Sequence, residues 1–218
     1  MSAGMTEADE EYSPPEPPDG LDNDPDEYDE LNGFHDAISS SKGRRILTLE
    51  LALSLAALVV LPFGISTVQE AVWAVGGAPL GALAVLVGGA ISIYVVTVVL
   101  HEQVHRVVNE YYGYDVEIRY GFPISYALVT EQWIAREHNL VALVTPLLVI
   151  SPTSYALCIT VSSPALTVIF GYVFFINTAA SCSDLYAFSG LGSRPKGSMG
   201  WIADTNDGIR SFIYEPSS

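Results

Sequence analysis

Two histidines and a glutamate lie within one five-residue segment, H-E-Q-V-H at residues 101–105. On a helix, His101 and His105 share a face, so both imidazoles can bind one metal ion while Glu102 reaches its open side. Two imidazoles leave positions for one more protein ligand and a water, and zinc lowers the pKa of that water from about 15.7 towards 7. Because the chain has only 4 histidines, a chance match at this spacing is the weaker explanation. The segment predicts a zinc hydrolase in which Glu102 accepts the proton of the water.

The stretch that leads into this motif is uncharged. No Asp, Glu, Lys or Arg occurs in residues 79–100, and a helix of that length crosses a bilayer at about 1.5 Å per residue. Three further apolar runs are long enough to do the same. We therefore predict an all-α membrane protein with four transmembrane helices, at about residues 46–65, 79–100, 140–161 and 165–183. The stretch between the first two spans, residues 66–78, is predicted to be a short interfacial loop.

Two prolines, Pro146 and Pro152, interrupt the third apolar run. They predict a kinked or locally unwound span, which a membrane protein tolerates where the freed backbone faces protein or a cavity. Cys158 and Cys182 also fall inside apolar runs. We interpret them as small core residues rather than as a disulfide or a metal-binding pair.

The interval between the second and third spans is polar. Residues 114–120 (Y-D-V-E-I-R-Y) alternate apolar and charged side chains, and Gly-Phe-Pro at 121–123 then precedes an apolar stretch at 124–129. This pattern predicts a β-hairpin at the cytoplasmic membrane surface, with Trp133 as an interfacial anchor. His138 is either a spare metal ligand or, as we favour, an interfacial histidine.

Both ends of the chain are polar. Residues 1–41, which include His35, are rich in Asp, Glu, Pro and Gly and are predicted to form a disordered acidic tail. The tail is either a solvating segment, as we favour, or an acidic docking arm. Residues 189–218 are predicted to form a polar C-terminal tail. A net charge of −16 with 9 Lys and Arg argues against nucleic acid as a partner, and the scarcity of lysine suggests a halophilic source.

The basic residues indicate an orientation for the four spans. All 9 Lys and Arg fall on one side of this arrangement, which places both termini and the central interval in the cytoplasm by the positive-inside rule. Two spans separate the histidine motif from the end of the fourth, so Asp184 returns to the same face. Asp184 is either the third zinc ligand or only the polar boundary of a span.

Several pieces in order carry a family resemblance: H-E-Q-V-H at the end of a span, the hairpin-like interval, A-R-E-H-N-L-V-A-L-V-T-P opening the proline-bearing span, and N-T-A-A-S-C-S-D-L ending the last. Together they resemble the zincin-type membrane metallopeptidases and are distantly similar to the site-2 protease class of intramembrane metalloproteases. The resemblance implies that Asp184 is the third ligand and that Asn177 helps to position substrate. Arg106 stands where the family has a small residue, and its bulk and charge would narrow the cleft or repel the ion.

These patterns predict a membrane-embedded zinc metalloprotease that hydrolyses peptide bonds at or just inside the cytoplasmic membrane face. Zinc is bound by His101, His105 and Asp184, Glu102 is the general base, and the partners are the bilayer and a membrane-associated protein or peptide. The hairpin edge at residues 116–120 either holds an unwound substrate by β-addition or only closes the site. The alternative function is a non-catalytic multi-pass membrane protein that uses the same residues as a structural metal site or interaction scaffold.

Overall fold

Six helices make up most of the described chain, which in this computed structural model comprises residues 12–23, 25–29, 40–120, 125–205 and 208–217. The helices are α1 (Ser41–Val60), α2 (Ile65–Gly76), α3 (Pro79–Tyr111), α4 (Arg136–Thr160), α5 (Pro164–Ala180) and α6 (Cys182–Gly192). The mostly helical class agrees with the prediction.

Within the described residues, short strands form two antiparallel sheets beside the helices. The strands are β1 (Asp26–Asp29), β2 (Glu117–Arg119), β3 (Tyr126–Leu128), β4 (Trp133–Ala135), β5 (Met199–Thr205) and β6 (Gly208–Tyr214). Strands β2 and β3 pair with each other, and the other four lie in the order β1-β6-β5-β4. The β2–β3 pair lies within the interval where the sequence predicts a hairpin, and the predicted turn at 121–123 lies outside the described residues.

Three helical segments of the described chain are long and apolar enough to cross a membrane, namely Pro79–Tyr111, Arg136–Thr160 and Pro164–Gly192. Helices α1 and α2 satisfy the same test only as a pair, and they are bent by 81°. Pro62 accounts for the break, because a proline disfavours the helical conformation of the residue before it. Leu61 accordingly has φ −63° and ψ 129°. The four-span arrangement requires this bent pair to be one span and stays a prediction.

The prediction of an interfacial loop at residues 66–78 is wrong, since helix α2 covers Ile65–Gly76. The Gly76-Gly77 pair suggests a loop in the sequence, but in the structure it only ends the helix. Gly77 has φ +68°, a conformation that favours glycine, and its N–H donates to the Trp73 carbonyl at 3.0 Å. The apolar residues before the pair continue as helix.

Helix α3 extends well beyond the predicted end of the second span at residue 100 and ends at Tyr111. The charged residues after Leu100 do not stop it, because Glu, Gln and Arg are good helix formers. Four of its five buried polar residues follow a four-residue spacing, Thr97, His101, His105 and Asn109, and Glu102 is the fifth. The histidine motif therefore lies inside one continuous helix rather than at its end.

Helix α5 lies at the centre of the helical bundle and packs against α1, α2, α3 and α4. Close packing against the α1–α2 break depends on Gly171, which is buried in α5. A Cβ at this position would overlap the ring of Phe63. The bend between α1 and α2 and the position of α5 are thus linked through this glycine.

The C-terminal residues 189–218 are not simply a polar tail, since they contain the end of α6 and the β5–β6 hairpin. Trp201, Ala203, Phe212 and Tyr214 form a small buried cluster on this sheet. Trp133 packs against Trp201 and Tyr214 with ring centroids 5.1 and 5.0 Å apart, and its role as an interfacial anchor stays a prediction. The average polarity of the segment conceals an alternation of apolar residues that is sufficient for a strand pair.

The prediction that residues 1–41 are disordered is wrong for part of that segment. Strand β1 pairs with β6, and Tyr12 stacks on Phe212 with ring centroids 5.9 Å apart. Strand β6 would otherwise be an open sheet edge, so pairing satisfies backbone groups that composition does not reveal. The other residues of the predicted tail up to residue 39, namely 1–11, 24 and 30–39, lie outside the described residues. His35 is among them.

Candidate metal centre

Three possible metal ligands meet where α3 faces the start of α6. His101 Nε2 lies 3.1 Å from His105 Nε2 and 3.0 Å from Asp184 Oδ2. His105 Nε2 lies 3.5 Å from the same carboxylate oxygen. The histidine side chains are buried, and Asp184 is 15% exposed. The structure thus brings together the three residues that the sequence predicts as ligands.

A break between α5 and α6 positions Asp184. Helix α5 ends at Ala180, and Ser181, which is fully buried, has φ −69° and ψ 5°. The Ser181 hydroxyl and its backbone N–H both donate to the Asn177 carbonyl, at 2.9 and 3.1 Å. Asp184 follows in the first turn of α6, where the N-terminal end of a helix favours a negative charge.

Asn177 fixes the orientation of the His101 ring. The Asn177 Nδ2 donates to the Pro146 carbonyl at 3.1 Å and to the Ser151 hydroxyl at 2.8 Å, which leaves Oδ1 as the acceptor that faces His101 Nδ1 at 2.9 Å. His101 Nδ1 therefore donates, and a neutral His101 carries its proton on Nδ1. Its Nε2 is left with a lone pair that points towards the cluster.

The carbonyl of Ala142 fixes the His105 ring in the same way. It lies 2.9 Å from His105 Nδ1, and a carbonyl can only accept, so Nδ1 carries the proton here as well. A neutral His105 thus presents the lone pair of its Nε2 to the cluster. Both metal-facing nitrogens are prepared by partners on their opposite sides.

The donor set fits a zinc ion. Two nitrogen lone pairs and a carboxylate oxygen that face one another repel unless a cation lies among them, and these ligand atoms all lie within 4.8 Å of one another. Tetrahedral zinc with bonds of about 2.0–2.1 Å separates neighbouring ligand atoms by roughly 3.3 Å, close to the 3.0, 3.1 and 3.5 Å seen here. Two imidazoles and one carboxylate also leave a coordination position for water or substrate.

Glu102 lies beside this cluster without belonging to the ligand set. It is 8% exposed and interacts electrostatically with both histidines and with the backbone of Ala127 in β3. Strand β3 therefore lies close to the carboxylate. A buried carboxylate next to a group of candidate metal ligands is suited to proton transfer.

Arg106 turns away from the ligands, contrary to the expectation that it would narrow the cleft or repel the ion. Its Nε donates to Glu110 Oε1 at 2.6 Å, and both side chains are 45% exposed. The two residues are one helical turn apart, the spacing of a surface ion pair on α3. The charge of Arg106 is thus offset outside the cluster.

His138 is not brought to the cluster. Its ring stacks on Tyr112 with centroids 4.0 Å apart, and its Nδ1 lies 2.9 Å from the Tyr114 hydroxyl. This placement argues against His138 as a spare ligand of the cluster, and its position at the membrane interface stays a prediction. Cys158 and Cys182 are likewise free and buried, as predicted.

The groups that support the two imidazoles were not predicted from the sequence. The family resemblance implies a role for Asn177 in substrate positioning, whereas in the structure its side chain is fully buried and holds His101. The Ala142 carbonyl is a backbone group and leaves no residue-type signal. Pro146 in an apolar run was the available clue, because a proline leaves an earlier carbonyl without its helical donor.

One comparison with known proteins gives a match. Residues 94–199 match the sequence model of a family described as putative zincin peptidase, a range that includes all three candidate ligands and Glu102. No curated protein and no solved structure matches the chain significantly. The family match supports a metallopeptidase of the zincin type and implies zinc as its cofactor.

Proposed function

Proceeding from that match, we propose that the chain is a membrane-embedded zinc metallopeptidase that hydrolyses peptide bonds at or just inside the cytoplasmic membrane face. The observation that carries this proposal is the convergence of two Nε2 atoms and one carboxylate oxygen, with both Nδ1 protons held elsewhere, beside a buried glutamate on the same helix. A purely structural metal site does not require that glutamate. The likeness to site-2 proteases rests on the sequence motifs.

His101, His105 and Asp184 would hold the zinc ion. When bound, zinc supplies a Lewis acid that polarises the scissile carbonyl and lowers the pKa of water. Glu102 takes the proton of the attacking water and passes it to the leaving amine, as a general base and then a general acid. The apolar surroundings strengthen each of these electrostatic interactions, because they exclude the screening of bulk water.

Strand β3 is the element best placed to meet a substrate. The sequence favoured the β2 edge at residues 116–120, but β3 packs against α3 and brings the backbone of Ala127 near Glu102. Within the described chain, β3 pairs with β2 alone, with Ile118 opposite Ala127. An unwound peptide that pairs along the other edge of β3 would lie next to Glu102.

The orientation follows from the basic residues. They lie before the first span, between the second and third, and after the fourth, which supports both termini and the site on the cytoplasmic side, with α1 and α2 as one bent span. A reporter fused after Ser218 should then give a cytoplasmic signal. An external signal would contradict the four-span arrangement. The expected partners are the bilayer and a membrane-associated protein or peptide.

The decisive experiment compares Glu102→Gln with Glu110→Gln, an identical substitution on the same helix at an exposed residue paired with Arg106. Each variant and the wild type is expressed in cells, the membrane proteome is compared, and zinc per purified chain is measured. We expect Glu102→Gln to retain zinc and to lose cleavage of substrates that wild type and Glu110→Gln both cut. The membrane proteins that stay bound to Glu102→Gln would identify the substrate class.

If the chain is instead a non-catalytic metal protein, the same experiment should give the opposite result for substrate cleavage. Zinc would still copurify at one ion per chain, but the membrane proteomes of wild type and Glu102→Gln would be the same. That result would refute the peptidase mechanism and leave the metal site intact.

A further inference from the structure

Helix α4 contains two prolines, and each leaves one backbone carbonyl without its helical donor. Pro146 removes the N–H that would bond to Ala142, and Pro152 removes the one that would bond to Leu148. The two positions differ in their surroundings. Pro152 is exposed and Leu148 is 65% exposed, whereas Pro146 and Ala142 are both buried.

The carbonyl freed by Pro146 is the one that holds a metal ligand. The Ala142 oxygen lies 2.9 Å from His105 Nδ1, which comes from helix α3. In an uninterrupted helix this oxygen would receive the N–H of residue 146 and would point along the helix axis. A proline at 146 removes that bond and opens the turn, so the oxygen can turn towards α3.

The same turn also supports the other imidazole. The carbonyl of Pro146 accepts from Asn177 Nδ2 at 3.1 Å, and Asn177 Oδ1 faces His101 Nδ1 at 2.9 Å. The donation to Pro146 helps to decide which end of the Asn177 amide faces the ring. One turn of α4, from Ala142 to Pro146, thus supports both histidines, His105 directly and His101 through Asn177.

We propose that Pro146 is a positioning residue for the metal centre. Because it lacks the N–H that would bond to Ala142, it leaves the Ala142 carbonyl to hold His105 with Nδ1 protonated and Nε2 free for the ion. Its own carbonyl binds Asn177, which holds His101 in the same state. This inference rests on the metal site of the proposed function, but it does not depend on proteolysis. It assigns Pro152, by contrast, no part in metal binding.

The test compares Pro146→Ala with the matched control Pro152→Ala. Each restores one backbone N–H within the same helix, and alanine favours helix at both positions. Zinc affinity is measured on full-length protein in detergent by competition with a chromophoric chelator. We expect Pro146→Ala to bind zinc roughly 10-fold more weakly, in the range for lost outer partners of metal ligands, and Pro152→Ala to match the wild type.

A second readout separates positioning from a general packing role. The chain has 4 histidines, so ¹⁵N labelling of histidine gives a small set of imidazole signals in the metal-free protein. Wild type and Pro152→Ala should show His105 with Nδ1 protonated. Pro146→Ala should show a mixture of the two tautomers, because the backbone N–H restored by this substitution then competes for the Ala142 carbonyl.

Two results would overturn the inference. The first is equal zinc affinity in Pro146→Ala and the wild type, and the second is an unchanged His105 tautomer in the metal-free variant. If the wild type bound no zinc, the proposed function would fail, while the tautomer comparison would still decide the role of Pro146. Thermal unfolding of the three proteins shows whether a lower affinity reflects a loss of fold.

Discussion

Asp184 Oδ2 lies 3.0 Å from His101 Nε2 although 83 positions separate the two residues in the chain. On the other side of the same ring, Asn177 Oδ1 lies 2.9 Å from Nδ1. Asn177 and Asp184 stand on either side of the break at Ser181 between α5 and α6. The short interruption at Ser181 therefore separates a candidate metal ligand from the residue that orients the neighbouring ligand.

Replacing Asp184 by Asn keeps the size of the side chain and removes its charge. Because two neutral imidazoles alone hold zinc weakly, we expect zinc affinity to fall by more than the roughly 10- to 100-fold that follows loss of an outer partner. Chelator competition on the purified protein measures this. Glu137→Gln is the control, since it neutralises an exposed carboxylate on α4. An unchanged affinity in Asp184→Asn would show that this residue is not a ligand.

Replacing Asn177 by Ala removes the acceptor of the His101 Nδ1 proton and leaves the Ser151 hydroxyl and the Pro146 carbonyl without one partner. We expect zinc affinity to fall about 10- to 100-fold and the free energy of unfolding to fall by about 1–3 kcal/mol, the usual effect of an unsatisfied buried polar group. Chelator competition and thermal unfolding check the two effects.

Asn109→Ala is the matched control for this change. Asn109 is also a buried asparagine, but its Nδ2 donates to the main-chain carbonyl of His105 and not to an imidazole. The control should lose stability and keep its zinc affinity. If both variants lost zinc equally, the effect of Asn177 would be one of packing rather than of ligand orientation.

Arg119 links the β2–β3 pair to the C-terminal sheet, and this link should depend on pH. It donates to Glu117 Oε1 at 2.9 Å and to Asp204 Oδ2 at 2.7 Å. The hydrogen bond from Arg119 is the main cause that lowers the pKa of each carboxyl below its usual value. A carboxyl with a lowered pKa in the folded state stabilises the fold above its unfolded pKa, and that contribution is lost as the pH falls through the folded value.

The variant Arg119→Gln should therefore be less stable than the wild type near neutral pH, and the difference should shrink below about pH 4, where both carboxyls become protonated. The effect should be small and should decrease with added salt, because the three side chains are exposed. Thermal unfolding of both proteins across this pH range measures it. A stability difference that grew on acidification would contradict the proposed linkage.

Local patterns made part of this protein predictable. The spacing of His101 and His105 gives a shared helix face, since helical geometry depends on neighbours only. The long apolar runs indicate helices for the same reason. The alternation at residues 114–120 also predicts strand, and the structure has strand β2 at Glu117–Arg119. These conclusions need no knowledge of which segments meet.

Errors arose where a distant partner decided the structure. Residues near both termini have compositions that favour disorder or a polar tail, yet β1 pairs with β6 and Tyr12 stacks on Phe212. Pairing between segments so far apart in the chain leaves little trace in either sequence. The proline at 62 acted locally, but the position of the resulting bend depends on its packing against Gly171.

The chemical types at the candidate centre can be read from the residues alone: two imidazoles on one helix face, an adjacent glutamate, and a carboxylate that ends a long uncharged run. The orientation of these groups depends on the packing of the helices. His101 takes its tautomer from Asn177 and His105 from the Ala142 carbonyl, and both supports come from other helices. Which ring nitrogen carries the proton depends on the acceptor that packs against it. A backbone carbonyl can act as this acceptor at any residue type, so the sequence does not reveal its position.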